Sequence, residues 1–256
     1  MYMDKKSEVS LSVRHIIKTY PGVVALKDIS VDFYAGEVHG LMGENGAGKS
    51  TLMKAISGVI EPDEGIFYIG SDEFRKITPH QAQEKGLRII HQELNLIPTL
   101  SVTENIFMGR FMGNGWTVKF SEMKKRTWEL FQEIGIKIDP DALVENLTVA
   151  QMQLVEIAKA VSQDVKILIM DEPTASLDSL AENEIFQCIK TTLNKQISII
   201  ISHRYSMAQI VDKIIVISNN TIAEEGQFTE LIRKGGKFYK YYSVQADRYK
   251  KGKYDE

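Results

Sequence analysis

A nine-residue stretch, Gly43–Thr51, constrains what this chain can fold into more than any other part of the sequence. It reads GENGAGKST and matches the pattern G-x-x-x-x-G-K-[ST]. The preceding segment 37–42 predicts a short buried strand, and the following segment 52–56 predicts a helix. In this setting the glycines let successive backbone N–H groups point at one anion, which the helix N-terminus also attracts. The stretch therefore predicts a phosphate-binding loop between a strand and a helix.

The side chains of this loop have separate predicted roles. Lys49 is expected to reach the β- and γ-phosphates of a nucleotide, and the Ser50 hydroxyl is expected to ligate Mg²⁺. The alternative is a glycine-rich turn that matches the pattern by accident, which the strand and the helix around it disfavour. The predicted nucleotide-binding residues of the loop are Gly43, Glu44, Asn45, Gly46, Ala47, Gly48, Lys49, Ser50 and Thr51.

The composition narrows the class of protein. A hydrophobic fraction of 43% in 256 residues suffices for a sizeable core, either one large α/β domain or a core with an inserted subdomain. The net charge of −3 provides no overall field for binding nucleic acid. No apolar run approaches the roughly 18–20 residues of a membrane span, and the charged N-terminus lacks the apolar segment of a secretory signal. The single cysteine, Cys188, excludes an internal disulfide and fits a reducing cytosol.

Strand and helix patterns alternate along the chain. Apolar residues alternate over 9–33 around a turn at 20–22, which predicts a small antiparallel sheet. Alternation of the later strands with helices predicts a parallel core sheet with right-handed crossovers. These later strands are predicted at 166–170, 197–201 and 214–217, and further short strands are predicted at 65–70 and 87–90.

The segment 93–160 has helical periodicity instead, which predicts a helical insertion between two α/β halves. Ser101 and Glu104 have the spacing of a capping box at a helix start. Within 120–134 the apolar residues at helical spacing are Met123, Trp128, Leu130, Phe131 and Ile134.

Two carboxylates close one of the buried strands. Asp171 and Glu172 follow the apolar run 167–170 directly. A carboxylate at the end of a strand beside the phosphate-binding loop can orient Mg²⁺, which we expect of Asp171. Glu172 can reach a water in line with the γ-phosphate, so we assign it as the general base. The alternative, two carboxylates that cap a helix, does not explain why they end so apolar a strand.

Two further polar residues follow predicted strands. His203 comes after the strand 197–201 and can donate a hydrogen bond to a γ-phosphate oxygen. Gln92 comes after the strand 87–90, and its carbonyl oxygen can ligate Mg²⁺ and orient water. Each of these residues alone is weak evidence of function.

The phosphate-binding loop, Gln92, the helical segment, the Asp171–Glu172 pair and His203 follow one another along the chain in a recognisable order. With these motifs the sequence resembles the ATP-binding cassette (ABC) ATPases over most of its length. The resemblance implies an α/β fold with a P-loop (RecA-like) parallel-sheet core, an N-terminal antiparallel β subdomain and a helical subdomain at about 93–160, all within one nucleotide-binding domain, 1–236. It also implies ATP and Mg²⁺ as cofactors. Tyr20 is then expected to stack on adenine, and Asp178 belongs to a loop, 175–178, that binds at the nucleotide site.

The resemblance further implies that two such domains pair head to tail, with a signature motif of one closing over the ATP of the other. The motif here reads LTVAQ at 147–151, where the family usually has LSGGQ. Thr148 retains a hydroxyl, Ala150 retains a backbone N–H at a helix N-terminus, and Gln151 matches the family residue. The two missing glycines limit how closely the backbone can approach a phosphate.

Three local sequence segments narrow the resemblance to one type of ABC ATPase. The segments 42–52, 90–96 and 149–160 are similar to ATPases of the ribose and galactoside sugar importers, which usually carry two cassettes in one chain. The chain most resembles the N-terminal, catalytically intact cassette of that type. This implies an ATP-hydrolysing subunit for sugar import, peripheral at the cytoplasmic face of the cell membrane. The implied partners are a second nucleotide-binding domain, transmembrane permease subunits and a solute-binding protein. The Gln92 loop and the helical insertion are the expected coupling surface.

The end of the chain fits less well. The segments 224–227 and 235–239 look more like the close of an exporter cassette. From 233 to 256 there are eight Lys or Arg against three Asp or Glu, with tyrosines interleaved. We predict a basic, Tyr-rich C-terminal tail, 237–256, either as a solvated terminal helix or as a contact for an acidic partner surface or anionic headgroups.

Three alternatives to a sugar importer remain at this point. They are an exporter-type cassette, a soluble ABC ATPase acting on ribosomes or nucleic acid, and a P-loop kinase or GTPase. The base-specifying N-K-x-D motif of a GTPase is absent from the sequence. Nucleic acid is not an expected partner, because basic arms and long coiled-coil insertions are not visible.

Overall fold

The computed structural model describes residues 9–114, 116–174, 177, 179–192 and 196–251. Among these residues, no helix has both the length and the apolar character needed to span a bilayer. The strands are β1 (Val9–Tyr20), β2 (Val23–Tyr34), β3 (Val38–Met42), β4 (Glu64–Ile69), β5 (Asp72–Phe74), β6 (Leu87–Ile90), β7 (Ile167–Asp171), β8 (Ile197–Ile201), β9 (Lys213–Ser218) and β10 (Thr221–Gly226). The helices are α1 (Lys49–Ile56), α2 (Pro79–Glu84), α3 (Val102–Phe107), α4 (Phe120–Ile134), α5 (Val149–Val161), α6 (Ser179–Thr192), α7 (Phe228–Lys234) and α8 (Lys237–Lys251).

The N-terminal sheet is antiparallel, with strand order β2-β1-β4-β5. Alternate residues of β1 and β2 are fully buried, among them Leu11, Val13 and Phe33. They pack in one hydrophobic cluster with Leu52 of α1. The alternation over 9–33 is thereby confirmed, because a period of two places every second side chain on the face that α1 covers.

The core sheet has strand order β10-β9-β3-β8-β7-β6, and its neighbours from β9 to β6 run parallel. Every residue of β3 and of β8 is buried, since both faces of the sheet are covered. The strand β3, which leads into the phosphate-binding loop, lies between β8 and β9. The strand β10 was not predicted, because its sequence TIAEEG is too polar to signal a strand without its antiparallel partner β9.

The segment between β6 and β7 is helical, as the periodicity predicts. Both predicted N-termini have capping boxes, formed by Ser101 with Glu104 on α3 and by Thr148 with Gln151 on α5. Of the apolar residues at helical spacing on α4, Met123, Phe131 and Ile134 are buried. Trp128 is 55% exposed and does not share their buried face. The buried stripe of α4 includes Thr127, and Trp128 is rotated about 100° from it.

The first turns of the C-terminal helix α8 pack on the rest of the protein. The first turn of α8 is capped by Glu224 of β10, whose two carboxylate oxygens accept from the N–H groups of Lys237 and Phe238 at 3.0 and 2.9 Å. Phe238 is fully buried and its ring contacts those of Phe228 and Tyr242. The predicted tyrosine at 254 lies outside the described residues.

Candidate functional site

The phosphate-binding loop connects β3 to α1 and requires glycine at two positions. Gly43 has φ +149°, and a Cβ there would lie 2.1 Å from the carbonyl oxygen of Ile217. Gly48 has φ +106°, and its Cβ would lie 2.5 Å from the carbonyl oxygen of Ala25. Both positions therefore combine a backbone conformation and a close approach that a side chain would prevent.

Lys49 lies inside this loop. Its side chain is buried, and its Nζ donates to the carbonyl oxygens of Gly43 at 2.8 Å and of Glu44 at 2.9 Å. Burial lowers the pKa of the Lys49 ammonium, and the carboxylates of Glu172 and Asp171 counteract part of that effect. The ammonium thus contacts the loop and is close enough to the predicted base and the predicted Mg²⁺ ligand to feel both charges.

The structure brings Glu172 and His203 into contact. Glu172 follows the last residue of β7 and His203 lies two residues beyond β8, which is hydrogen-bonded to β7. The Glu172 Oε1 atom lies 2.9 Å from Nδ1 of His203. Glu172 has a positive φ of 49°, and its N–H donates to the carbonyl oxygen of Ile201 at 3.0 Å. This unusual backbone directs the proposed base toward the loop after β8.

Oxygen donors suited to Mg²⁺ are present on the first turn of α1 and at the end of β7. Asp171 is the last residue of β7, and burial, followed by the nearby Glu172 carboxylate, raises its pKa. A cation beside such a carboxylate would favour its ionised form. With the Ser50 hydroxyl on the first turn of α1, these groups fit the oxygen ligands that Mg²⁺ prefers. Gln92 lies two residues beyond β6, the strand that pairs with β7, and its side chain is exposed.

The Gln92 loop is tied to α5, a link that sequence reasoning missed. Oε1 of the buried Glu156 accepts from the N–H of Asn95 at 3.0 Å, and Nζ of Lys159 donates to the carbonyl oxygen of Asn95 at 3.0 Å. Burial raises the pKa of Glu156. A glutamate within the apolar run 154–158 was the available signal. The helix that begins with the predicted signature motif is therefore attached to the loop that carries Gln92.

The predicted signature motif forms the N-terminus of α5. The N–H of Gln151 donates to Oγ1 of Thr148 at 3.2 Å, and Thr148 N–H donates to Oε1 of Gln151 at 2.9 Å. Thr148 and Val149 are exposed, and Ala150 is half-buried. This helix end is thus accessible to another molecule, while its threonine hydroxyl already serves as a cap.

Tyr20 ends β1 with its ring 41% exposed, and Nζ of Lys18 lies 5.5 Å from the ring centre. An exposed ring of this kind can accept a stacked base, and its predicted role remains a prediction. Asp178, Ala175 and Ser176 of the predicted loop 175–178 lie outside the described residues.

Arg204 is a second feature that sequence reasoning missed, although it stands next to His203. Its Nη1 donates to the carbonyl oxygen of Leu177 at 3.1 Å and lies 3.8 Å from Oε2 of Glu182. Oε1 of the same glutamate accepts from Oγ1 of Thr174 at 3.0 Å. These bonds join the segment after β7 to the segment after β8, the two segments that carry the proposed base and histidine.

A cleft of about 450 Å³ opens beside the loop. Gly43, Glu44, Asn45 and His203 form one side of it, and Lys240, Tyr241, Val244 and Gln245 of α8 form the other. A cleft of about 470 Å³ at the amino edge of the core sheet is lined by other residues, including Lys85, Lys166 and Gln196. Residues of the phosphate-binding loop and His203 thus line the first cleft, and none of them lines the second.

Comparison with known proteins agrees with the resemblance inferred from the sequence. A family model described as ABC transporter matches residues 26–175. Over 225 residues the chain is 42% identical to the putative ribose/galactose/methyl galactoside import ATP-binding protein 1 of Agrobacterium fabrum, covering 87% of this chain and 45% of that protein. The protein of the same description from Burkholderia ambifaria is 45% identical over 209 residues, with 81% of this chain and 40% of that protein covered. The chain spans less than half the length of these relatives.

Solved structures agree with the fold class. The ADP conformation of MJ1267, an ATP-binding cassette of an ABC transporter, matches with a TM-score of 0.81 and 25% identity, covering 92% of this chain and 99% of that one. The dimeric structure of MJ0796, a bacterial ABC transporter cassette, matches with a TM-score of 0.70 and 25% identity, covering 85% of this chain and 98% of that one. The predicted α/β fold with a parallel core sheet and an antiparallel N-terminal sheet is thereby confirmed.

Proposed function

This chain belongs to the ABC transporter family, and we propose that it is the ATP-hydrolysing subunit of such a transporter. The observation that carries the proposal is the contact of 2.9 Å between Glu172 and His203. The position of Lys49 also supports the proposal. Its buried ammonium lies close enough to Glu172 and Asp171 for both carboxylates to influence its pKa, so the phosphate-binding lysine and the proposed base belong to one site.

In the proposed mechanism, the backbone of the loop and Lys49 bind the β- and γ-phosphates and neutralise their charge. The Glu172 carboxylate accepts a proton from the attacking water. His203 orients that carboxylate through Nδ1, and its other ring nitrogen is available to a phosphate oxygen. A neutral ring can donate to one of these two partners, whereas the imidazolium can donate to both.

Ser50 and Asp171 would hold Mg²⁺, with Gln92 as a further oxygen ligand. The ion would neutralise charge on the phosphates when bound. Asp171 provides a negative charge beside Lys49, which would offset part of the repulsion between a dication and the ammonium.

A second cassette is the proposed partner across the nucleotide. The exposed N-terminus of α5, with Thr148, Ala150 and Gln151, would contact the ATP bound at the phosphate-binding loop of the partner. Support comes from the solved cassette described as dimeric. Tyr20 would stack on the adenine, and Asp178 would act in the same interface.

The transported solute is proposed to be a sugar. The relatives at 42% and 45% identity are described as import proteins for ribose, galactose or methyl galactoside. The remaining partners would be transmembrane permease subunits and a solute-binding protein, with this chain peripheral at the cytoplasmic face of the membrane.

Hydrolysis is tested with purified protein, Mg²⁺ and ATP. Lys49→Ala should abolish phosphate release and weaken nucleotide binding. Glu172→Gln should leave binding intact and slow hydrolysis by about 10²-fold or more. Gln132→Glu, an exposed change on α4, is the control that should retain full activity. Wild-type turnover in the Glu172→Gln variant would remove Glu172 from the role of base.

Sugar import is tested in cells. Uptake of labelled ribose and galactose should fall when the gene is deleted and should return with the wild-type chain but not with Glu172→Gln. Unchanged uptake of both sugars in the deletion strain, with ATP hydrolysis intact in vitro, would contradict the sugar assignment and favour another solute or export.

A further inference from the structure

The helix α8 contacts the segment that carries His203. That segment, 203–209, consists of His203, Arg204 and the 3-10 helix Tyr205–Gln209. Nε2 of Gln245 donates to the carbonyl oxygen of His203 at 2.7 Å. Nε2 of Gln209 donates to the hydroxyl of Tyr242 at 2.9 Å. One helix thus holds this segment at both of its ends.

These contacts come from a single face of α8. Phe238, Tyr242 and Gln245 are spaced by four and three residues, which aligns them along one side of a helix. Phe238 is fully buried, and Tyr242 lies 5.2 Å from the ring of Phe228 between ring centres. The packing of the aromatic rings fixes the position of α8 along its axis and its rotation about that axis. The side-chain amide of Gln245 is therefore held beside His203.

The start of α8 is anchored independently of the segment. Glu224 accepts from the first two N–H groups of the helix, and Nζ of Lys237 donates to Oγ of Ser218 at 2.9 Å. Both of these partners belong to the strands β9 and β10, at the edge of the core sheet. The helix is therefore attached to the sheet at one end and to the loop of His203 at the other.

We propose that α8 positions His203 for catalysis and that Gln245 is a positioning residue for ATP hydrolysis. The carbonyl of His203 belongs to the residue whose ring contacts Glu172, so a bond to this carbonyl holds the backbone from which the ring extends toward the carboxylate. The inference rests on the proposed ATPase function and adds a role for the region predicted as a tail.

The test compares substitutions at Gln245 that differ in hydrogen bonding. Gln245→Glu retains the size but replaces the N–H donor with an acceptor that faces a carbonyl oxygen. Gln245→Lys restores a donor of similar reach. We expect Gln245→Glu to lower kcat about tenfold with KM for ATP unchanged, and Gln245→Lys to recover most of the rate. Gln132→Glu on α4 is the matched control and should leave kcat unchanged.

A double variant separates positioning from general loss of stability. In the His203→Ala background, Gln245→Glu should cause no further loss of rate, because its effect acts through His203. An equal loss in both backgrounds, or full kcat in Gln245→Glu, would overturn the inference. Wild-type protein that hydrolyses no ATP would instead overturn the proposed function.

A readout without turnover completes the test. The ring signals of His203 in the NMR spectrum should shift in Gln245→Glu and stay in place in Gln132→Glu. If the ring signals are unchanged in Gln245→Glu, α8 does not position the histidine, whatever the hydrolysis rate.

Discussion

Replacing Glu172 by glycine is expected to leave the fold more stable than replacing it by alanine. Both variants lose the carboxylate and its contact with His203, and both retain the N–H that donates to Ile201. They differ in their tolerance of the φ of +49° at this position. A left-handed backbone costs a residue with a Cβ roughly 1–2 kcal/mol, and the greater freedom of glycine in the unfolded chain returns about 0.4–1 kcal/mol.

The net advantage of glycine is then about 0.5–1 kcal/mol in the free energy of unfolding. In a protein of this size that corresponds to a rise in Tm of about 1–4 °C. Thermal unfolding followed by circular dichroism, with urea unfolding as a second measurement, resolves this difference. Both variants should be inactive in ATP hydrolysis.

A matched pair on α4 provides the control. Glu129 lies in the middle of that helix with an exposed side chain. There Glu129→Gly should be less stable than Glu129→Ala by about 1 kcal/mol, the opposite order from position 172. If Glu172→Gly is no more stable than Glu172→Ala while the α4 pair behaves as expected, the backbone at Glu172 is not strained.

The other predictions concern single groups of the site. Asp171→Asn should abolish hydrolysis yet raise Tm at neutral pH. Burial raises the pKa of Asp171, so the folded state prefers the protonated carboxyl and is destabilised when this group is ionised. The advantage of asparagine in Tm should therefore shrink as the pH falls toward 3.8, the ordinary pKa of an aspartate. A constant difference in Tm across pH would contradict this reasoning. Thr148→Ala should reduce hydrolysis only where two cassettes pair, as dilution series of the ATPase rate would show; an equal effect at all concentrations would argue against action in trans. Glu156→Gln should keep the acceptor for Asn95 and retain kcat, whereas Glu156→Leu should lower it, and equal rates would exclude that link from catalysis.

The sequence determined the phosphate-binding loop and the residues that surround it. Lys49 follows from the loop pattern, and Asp171, Glu172 and His203 follow from their places after apolar strands. The carboxyl ends of parallel strands meet at one edge of a sheet, so residues that follow β7 and β8 had to approach each other. The sequence could therefore predict that Glu172 and His203 lie near each other, although it could not predict the contact between their side chains.

The tertiary structure decided which way each side chain points. The amphipathic pattern of α4 permits Trp128 on the inner face, yet the narrow stripe that packs on the core excludes it. The positive φ of Glu172 accompanies the bond from its N–H to Ile201 of β8. The local sequence 171–173 gives no indication of it.

The C-terminal region shows the limit most clearly. Charge and tyrosine content predicted a tail, whereas Glu224 caps α8 and Gln245 reaches His203, 42 residues earlier in the chain. A single hydrogen bond between residues so far apart in the chain produces no periodic pattern in the sequence. It needs only one suitable residue at each end, so it cannot be recognised from the sequence alone. The packing of Phe238 and the bonds that anchor the start of α8 bring these partners within reach of each other.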